Sequence, residues 1–270
     1  QPFKERDMKH YVRTLLLLAV FFYLPFSGFA WGSLGHRIVG QIAESYLSKK
    51  AKREVFRILG TESMAITSTW PDFIKADSVY NYLSPWHYIN FRSGLNESQL
   101  KDYLATDTAV DAYVKINWLT AQLKNRDLEQ DKKLMYLRLL IHIVGDVHQP
   151  LHTGRPEDRG GNGIRLSWFN NPYNLHQVWD DRLIELQDLS YTEYVAAINH
   201  TTKEQRELWQ SEPVSQWIWN SYQLAEKIYA DVKPEDKLGY PYNYKYIGIV
   251  NQQLLKGGVH LGGLLNEIFG

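Results

Sequence analysis

Apolar residues recur at helical spacing along most of the chain after residue 30. Between residues 134 and 147, leucine, isoleucine and valine fall three or four positions apart, which predicts a helix over Asp131–Val147 that ends before Pro150. Four glycines near the C-terminus interrupt a similar pattern, and we expect them where helices approach closely. The period predicts further helices over His36–Leu47, Lys49–Leu59, Asp107–Leu123, Tyr191–Ile198, Pro213–Tyr229 and Asn243–Phe269.

Shorter elements separate these helices. Pro71 fits the first turn of a short helix that carries Asp72 and Lys75 on one face. Residues 84–90 predict a loop that passes into an extended segment, and the β-like run Ile164–Phe169 follows a glycine-rich turn and predicts a small hairpin. Asn174 is a natural N-cap for a helix that restarts there. Without internal repeats or a flexible linker, the pattern predicts one all-α domain.

The first thirty residues differ from the rest. Lys9 and Arg13 precede the apolar run Leu15–Leu24, and small residues end at Ala30, where a signal peptidase would cut. About ten apolar residues are too few for the roughly 20 that a membrane-spanning helix needs. We therefore expect residues 1–30 to be removed, a single catalytic domain at residues 31–270 that begins at Trp31, no stable membrane association, and a secreted or periplasmic protein.

Composition and charge limit the possible partners. The chain has 270 residues, of which 44% are hydrophobic and 22% charged, as in ordinary soluble domains, and it has no cysteine for disulfides. Without residues 1–30 its net charge is −2, so it has no broad basic surface for phosphates. A nucleic acid substrate would need a local site with metals and stacking aromatics, which nine Trp and 18 Tyr make available.

Histidines and aspartates at helical spacing supply the candidate chemistry. His142 and Asp146 lie four residues apart on one helix face, and His176 and Asp180 repeat this spacing. His152 follows Pro150 and therefore leaves the axis of the first helix. A carboxylate has two oxygens and can bridge two ions, while imidazoles on either side each bind one. These residues predict a zinc cluster.

The remaining histidines are not equal candidates. His36 lies in the segment that opens at Trp31, and His87 directly follows Trp86. His200 and His260 have no acidic partner at helical spacing and are expected to be structural. His148 is four residues before His152, but the intervening proline breaks that register. We expect His148 to support a ligand or to be exposed.

Six motifs, in this order, carry a resemblance to a known family: WGSLGH, WPDFIK, WHYIN, HIVGDVHQPLH, DRGGN and NLHQVWD. The chain resembles the zinc-dependent single-strand-specific nucleases and 3′-nucleotidases of fungi, plants and bacteria, which share their fold with the bacterial zinc phospholipases C. The resemblance implies an all-α, single-domain multi-helix bundle around a trinuclear zinc cluster, with a small β-hairpin. The absence of cysteine departs from the fungal and plant members and fits a bacterial one.

The resemblance also implies which residues hold the three Zn²⁺ ions. One ion would be held by Asp72, His87 and His142, with Asp146 bridging it to a second ion. That second ion would be held by Trp31 and His36. The third would be held by His152, His176 and Asp180. Trp31 would bind through its α-amino nitrogen and its own carbonyl oxygen, so removal of the leader would complete the site.

The same resemblance assigns substrate roles. Tyr88 stands where the fungal enzymes stack a base on phenylalanine, and Asn90 stands where they recognise the base with aspartate. From its position one turn beyond Asp72, rather than from the resemblance, we expect Lys75 to neutralise charge on the phosphoryl oxygens. From its place in the glycine-rich turn, we expect Asn162 to order its loop rather than bind metal. The implied reaction of this monomer is hydrolysis of single-stranded DNA and RNA to 5′-phosphate products by a metal-bridged hydroxide, together with hydrolysis of 3′-nucleotides.

Two alternatives remain open from the sequence. A phospholipase C-type phosphodiesterase on the same fold is disfavoured because that family carries glutamate at the position of Asp180 and has a longer spacing between Trp31 and His36. A non-catalytic secreted zinc-binding protein would lack a ligand, whereas all nine ligand positions are occupied here.

Overall fold

A computed structural model describes residues 31–270, and the predicted leader at residues 1–30 lies outside the described residues. Helices make up most of this part of the chain, so the predicted all-α class is confirmed. The helices are α1 Ser33–Ser45, α2 Lys49–Leu59, α3 Met64–Thr67, α4 Trp70–Phe73, α5 Glu97–Thr106, α6 Ala112–Lys124, α7 Gln130–Asp146, α8 Leu175–Gln177, α9 Leu183–Glu185, α10 Tyr191–Ile198, α11 Lys203–Ser211, α12 Val214–Asp231 and α13 Tyr240–Phe269.

Helix α7 lies at the centre of the fold and packs against α1, α6 and α13. Every residue from Leu139 to Asp146 is buried, so its C-terminal half has no solvent-exposed face. A helix surrounded in this way is normally apolar all round. The polar side chains of His142 and Asp146 are therefore buried by the fold itself and must find partners within it.

Helices α1 and α13 cross in close contact, as the glycines predict. A Cβ atom on Gly258 would lie 2.5 Å from Cβ of Ile42, and one on Gly262 would lie 3.0 Å from Cβ of Tyr46. Side chains at these positions would force the helices apart. The close approach holds α1 against the central bundle and fixes the position of His36.

A three-stranded sheet packs beside the bundle, in the order β2-β1-β3. Strands β1 Arg165–Trp168 and β2 Asn171–Asn174 pair antiparallel through a two-residue turn whose residues, Phe169 and Asn170, have φ values of 48° and 64°. This confirms the predicted hairpin. The third strand, β3 Lys237–Leu238, pairs in parallel with β1 and was not predicted.

Several predicted boundaries are wrong, and two of the differences have a clear local cause. Residues 84–87 belong to a 3₁₀ helix, Ser78–His87, and extended backbone begins only at Tyr88. The helix predicted from Asp107 begins at Ala112, because the Asp111 side chain accepts a hydrogen bond from Val114 N and caps it there. The segment before it contains α5, which was not predicted.

The helix after β2 is continuous from residue 175 to residue 185 but changes its winding. Its middle, Val178–Arg182, is a π-helix between α8 and α9. A single π turn adds a residue and rotates the side chains that follow it, and such turns are frequent at functional sites. Among residues 31–270, no helix is both long and apolar enough to cross a membrane.

Candidate metal centre

Six helical segments bring eight of the nine predicted ligands to one buried region. Helix α1 supplies His36, α4 supplies Asp72, and the last residue of the 3₁₀ helix supplies His87. Helix α7 supplies His142 and Asp146 from successive turns of one face. The three remaining side chains come from the second 3₁₀ helix, Pro150–Thr153, and from the 175–185 helix, and they are His152, His176 and Asp180.

Asp146 lies between the histidines of the first cluster. Its Oδ1 is 3.3 Å from His36 Nε2, and its Oδ2 is 2.9 Å from His87 Nδ1 and 3.3 Å from His142 Nε2. Asp72 completes this cluster, with its Oδ1 3.7 Å from His142 Nε2. The two oxygens of Asp146 thus face different sets of donors, which is the arrangement a bridging carboxylate requires.

A second cluster forms around Asp180. Its Oδ2 is 3.3 Å from His176 Nε2, and its Oδ1 is 3.9 Å from His152 Nε2. The rings of His152 and His176 stack with centroids 5.0 Å apart. His152 Nδ1 also lies 4.0 Å from Asp146 Oδ1, so the second cluster adjoins the first.

Backbone carbonyls fix the orientation of three histidines. The Nδ1–H groups of His142, His152 and His176 donate to the carbonyl oxygens of Ser68, His87 and Gly160, each at 2.6 Å. With the proton on Nδ1, each Nε2 lone pair faces the cluster. Metal-binding histidines are held in this way by a hydrogen bond on the ring nitrogen that does not bind the ion.

Buried polar atoms without a hydrogen-bond partner occur in both clusters. They include His36 Nε2 and Asp146 Oδ1 in the first cluster and His152 Nε2 and Asp180 Oδ2 in the second. Most buried polar atoms in proteins have such a partner. In each of three groups the ligand atoms lie within 4.8 Å of one another: His36, His142 and Asp146; Asp72, His87 and His142; His152, His176 and Asp180. Imidazole and carboxylate donors in this arrangement fit zinc.

The environment keeps the histidines neutral. Burial, followed by neighbouring basic side chains, lowers the pKa values of His36, His87 and His152 well below their usual range. Burial also lowers the pKa of His142 to about 4. Because only a neutral imidazole has a free lone pair, these rings are in the form that binds metal at pH 7.

The two central carboxyl groups behave in the opposite way. Burial, with the nearby charge of Asp72, raises the pKa of Asp146 well above its usual range. Burial and the charge of Asp181 do the same for the pKa of Asp180. A buried carboxylate needs a compensating positive charge. A divalent ion at each cluster would provide it.

The chain around Trp31 lies against the second cluster. Trp31 is fully buried, and the next residue donates a hydrogen bond from Gly32 N to the carbonyl oxygen of Asp180 at 2.9 Å. A Cβ atom on Gly32 would lie 1.4 Å from Asp181 Oδ1, so no other residue fits there without movement. Metal binding by the Trp31 α-amine stays a prediction.

The predicted substrate residues lie around the clusters. Lys75 Nζ donates to Asp72 Oδ1 at 2.6 Å, so its charge is held beside a predicted ligand. Tyr88 is 40% exposed and Asn90 is half-buried, on an extended segment whose alternate residues Ile89 and Phe91 point inward. Tyr88 and Asn90 thus lie on the same face, as stacking and base recognition require.

His148 does not belong to the cluster, although it is buried. Its Nδ1 donates to Val144 O at 2.7 Å, and its Nε2 lies 2.6 Å from His260 Nδ1. Both ring nitrogens are therefore engaged away from the metal region. His260 is structural, as expected, and His148 is neither exposed nor hydrogen-bonded to a predicted ligand.

One functional residue was missed in the sequence. Gln149 is fully buried, its Nε2 donates to Asp180 Oδ1 at 2.5 Å, and its Oε1 accepts from Leu151 N at 2.6 Å. The amide thus orients a predicted ligand. The signal was present, because a glutamine between two histidines in a buried stretch needs partners of its own.

Comparisons with known proteins agree with this geometry. The family model described as S1/P1 Nuclease matches residues 31–270. The chain is similar to "Endonuclease 4" of Arabidopsis thaliana, with 31% identity over 88% of this chain and 89% of that protein. It is also similar to "Nuclease P1" of Penicillium citrinum, with 27% identity over 89% and 98%, and to "Nuclease S1" of Aspergillus oryzae, with 29% over 58% and 55%.

Proposed function

The chain belongs to the S1/P1 nuclease family, and from this premise we propose that it is a zinc-dependent hydrolase of single-stranded nucleic acid. It cuts phosphodiester bonds in single-stranded DNA and RNA to leave 5′-phosphates, and it releases phosphate from 3′-nucleotides. The observation that supports this proposal most directly is the convergence of three histidine and aspartate groups, each with ligand atoms within 4.8 Å of one another.

Each protein group has a distinct part in holding the ions. Asp146, with oxygens facing His36 on one side and His87 and His142 on the other, would hold two ions together. The side chains of His152, His176 and Asp180 would hold a third ion. Bound zinc supplies Lewis acidity to phosphoryl oxygens and lowers the pKa of water to about 7, so no histidine is required as a base.

Other side chains act on the substrate. The ammonium group of Lys75 stands beside Asp72, where it neutralises charge that grows on the phosphoryl oxygens during attack. The exposed ring of Tyr88 stacks on the base, and the amide of Asn90 donates to and accepts from its edge. Because a base inside a duplex has both faces covered, this stacking favours single strands.

Processing belongs to the same proposal. Cleavage after Ala30 frees the α-amine of Trp31, which with the Trp31 carbonyl oxygen and His36 completes the second ion's ligands. An uncleaved chain has an amide nitrogen at this position, which is a poor zinc ligand. The protein therefore acts after export, as a secreted or periplasmic monomer.

The test is a substrate comparison with protein shown to begin at Trp31. It is incubated with single-stranded DNA, single-stranded RNA, the same DNA as a duplex, a 3′-mononucleotide and phosphatidylcholine, with and without a chelator. We expect faster cleavage of single strands, because unstacking a base costs a few kcal/mol, and loss of all activity with chelator. Equal rates on duplex and single strand, or products with 3′-phosphates, would contradict the proposal. Hydrolysis of phosphatidylcholine alone would establish the phospholipase instead.

A further inference from the structure

A cavity of about 390 Å³ opens beside Asn90, next to the proposed base-binding position. Its volume is within the roughly 300–1,000 Å³ of small-molecule sites. It lies between the extended segment that carries Tyr88 and helix α5. The lining residues are Asn90, Phe91, Arg92, Leu95, Gln99, Asp102 and Tyr103.

The lining combines an aromatic face with polar groups of three kinds. The Tyr103 ring is 45% exposed and packs edge-to-face on the buried Phe91, with centroids 5.6 Å apart. Arg92 brings a guanidinium group, and Gln99 and Asp102 bring an amide and a carboxylate. The exposed ring can stack on the base of a nucleotide, and the guanidinium group can pair with its phosphate. The amide and the carboxylate can donate to and accept from the edge of the base.

The cavity walls are held in place without a ligand. The hydroxyl of Tyr222 donates to Arg92 O at 3.1 Å and accepts from Leu95 N at 2.9 Å, which anchors the loop to α12. On the other wall, Gln99 Oε1 accepts from Asn96 N at 3.1 Å, which caps α5. A site that is already ordered loses little conformational entropy when it binds.

Asn90 lines the cavity and is also the proposed base-recognition residue beside Tyr88, and this shared residue indicates the occupant. The base stacked on Tyr88 belongs to the nucleotide whose 3′ oxygen leaves, because 3′-mononucleotides are substrates of the proposed reaction. The scissile phosphate is attached to the 3′ side of that nucleotide. The rest of the strand before the cleavage point therefore continues from its 5′ side. We propose that the cavity binds the next nucleotide on the 5′ side, with its base on Tyr103 and its phosphate near Arg92.

This inference rests on the proposed function and adds a specificity to it. The net charge of −2 for residues 31–270 leaves little general attraction for phosphates, so a second local site would supply affinity for a strand. The enzyme would then prefer oligonucleotides to mononucleotides through α5 and the loop before it, at a distance from the metal ligands.

The test compares two substrates that lose the same phosphate. One is a 3′-mononucleotide, and the other is a dinucleotide with a 3′-phosphate and a phosphorothioate internal linkage, with release of inorganic phosphate measured for both. We expect a higher kcat/KM for the dinucleotide. Tyr103→Ala should lower that value at least about fivefold, the lower end of base–aromatic stacking, and leave the mononucleotide within about twofold. Tyr103→Phe should keep the dinucleotide preference.

Controls separate the possible failures. Tyr244, which is 88% exposed on α13 and outside the cavity, gives the matched variant Tyr244→Ala, and melting temperatures are measured for all variants. Wild type that hydrolyses both substrates equally, or Tyr103→Ala that loses both activities together, overturns the cavity assignment while the proposed function stands. Wild type that releases phosphate from neither substrate contradicts both.

Discussion

The direction of the ring nitrogen that is left free distinguishes three histidines of the metal centre from the buried His148. His142, His152 and His176 use Nδ1 on a carbonyl oxygen and turn Nε2 inward. His148 also uses Nδ1 on a carbonyl, but its Nε2 meets His260. The direction of the free nitrogen, rather than burial, therefore indicates which histidines can bind metal.

Zinc binding to the metal-free protein should release protons from Asp146 and Asp180. Burial raises the pKa values of both carboxyl groups, whereas the pKa values of His36, His87, His142 and His152 are lowered and these rings are already neutral. Zinc affinity should therefore rise with pH through the raised carboxyl range. Calorimetric titration in two buffers of different protonation enthalpy measures the release. Proton release that Asp146→Asn leaves unchanged, or that follows a histidine pKa near 6.5, would contradict this assignment.

Replacing Lys75 with methionine should lower kcat about tenfold or more while the zinc content stays unchanged. The reason is that, in the proposed reaction, Lys75 adds positive charge beside the phosphoryl oxygens. Lys52→Met is the matched control, because it removes another ion pair, Lys52 with Glu44 at 3.1 Å, from the surface. If activity falls only in proportion to lost zinc, Lys75 serves to hold Asp72 and not the substrate.

The histidines and aspartates of the candidate site could be predicted from the sequence, but the hydrogen-bond partners of the histidines could not. Spacing on one helix indicated His142 with Asp146 and His176 with Asp180, since both pairs are local. The carbonyl groups of Ser68 and Gly160 come from distant segments, and no side-chain pattern encodes them. Exclusion of His148 likewise depends on His260, which lies 112 residues away.

Close contacts of helix α1 with α7 and α13 fix the position of His36 in the candidate site. A Cβ atom on Gly145 of α7 would lie 2.9 Å from His36 Nδ1, and one on Gly258 of α13 would lie 2.3 Å from Ile42 Cγ2 in α1. Helix α1 is therefore held between α7 and α13 with its histidine against the cluster. The glycines allow this spacing at some cost in helix propensity.

Alanine at two glycines of α13 should have opposite effects on stability. Gly258→Ala forces a methyl group against Ile42, and we expect a loss of about 1–3 kcal/mol and a lower melting temperature. A Cβ atom on Gly248 would meet no other side chain or backbone of residues 31–270 within 4 Å, so Gly248→Ala should gain up to about 1 kcal/mol from helix propensity. Urea unfolding of both variants measures the difference. A Gly258→Ala protein as stable as wild type would show that the crossing is looser than described.

Elements with a strong apolar period were predicted well, and polar or short elements were not. Lys49–Leu59 and Tyr191–Ile198 match the observed bounds, and Gln130–Asp146 differs from prediction by one residue at each end. Helix α11 was missed because its exposed face dominates its sequence. The sequence does contain a signal for the missed helices α5 and α11, because each begins with a capping box, at Asn96 and at Thr202. Strand β3 has only two residues and is too short to show a hydrophobic period.

The three groups of candidate ligands come from segments that extend from His36 to Asp180. No pair of adjacent elements contains a full set of the predicted ligands. Zinc should therefore connect distant parts of the chain, and its loss should affect the stability of the complete fold. The nearly neutral charge is consistent with substrate binding at this site rather than over the surface.

Chelation should lower the melting temperature markedly and reversibly. Ions that bind only the folded protein stabilise it by mass action, by about 4 kcal/mol when free zinc exceeds the dissociation constant a thousandfold. Thermal unfolding with chelator, and again after zinc is restored, measures the shift. A metal-free protein with the melting temperature of the zinc-loaded protein would mean that the clusters are stable without ions.

A variant with one residue added before Trp31 should fold but lose nearly all activity. The added residue converts the α-amine into an amide, which is a poor zinc ligand, and zinc content should fall by about one ion per chain. Mass spectrometry verifies the extended N-terminus, and the melting temperature verifies the fold. Full activity in a preparation with a verified extension would exclude a role for the α-amine.

The central claim is a cluster of three zinc ions in which Asp146 bridges two, and elemental analysis of active protein tests it most directly. Wild type that begins at Trp31 should contain about three zinc ions per chain. Asp146→Asn should lose the two bridged ions and keep the third, because an amide is a poor bridging ligand, whereas Asp180→Asn should lose only the third. Active wild type with one zinc ion or none would contradict the account.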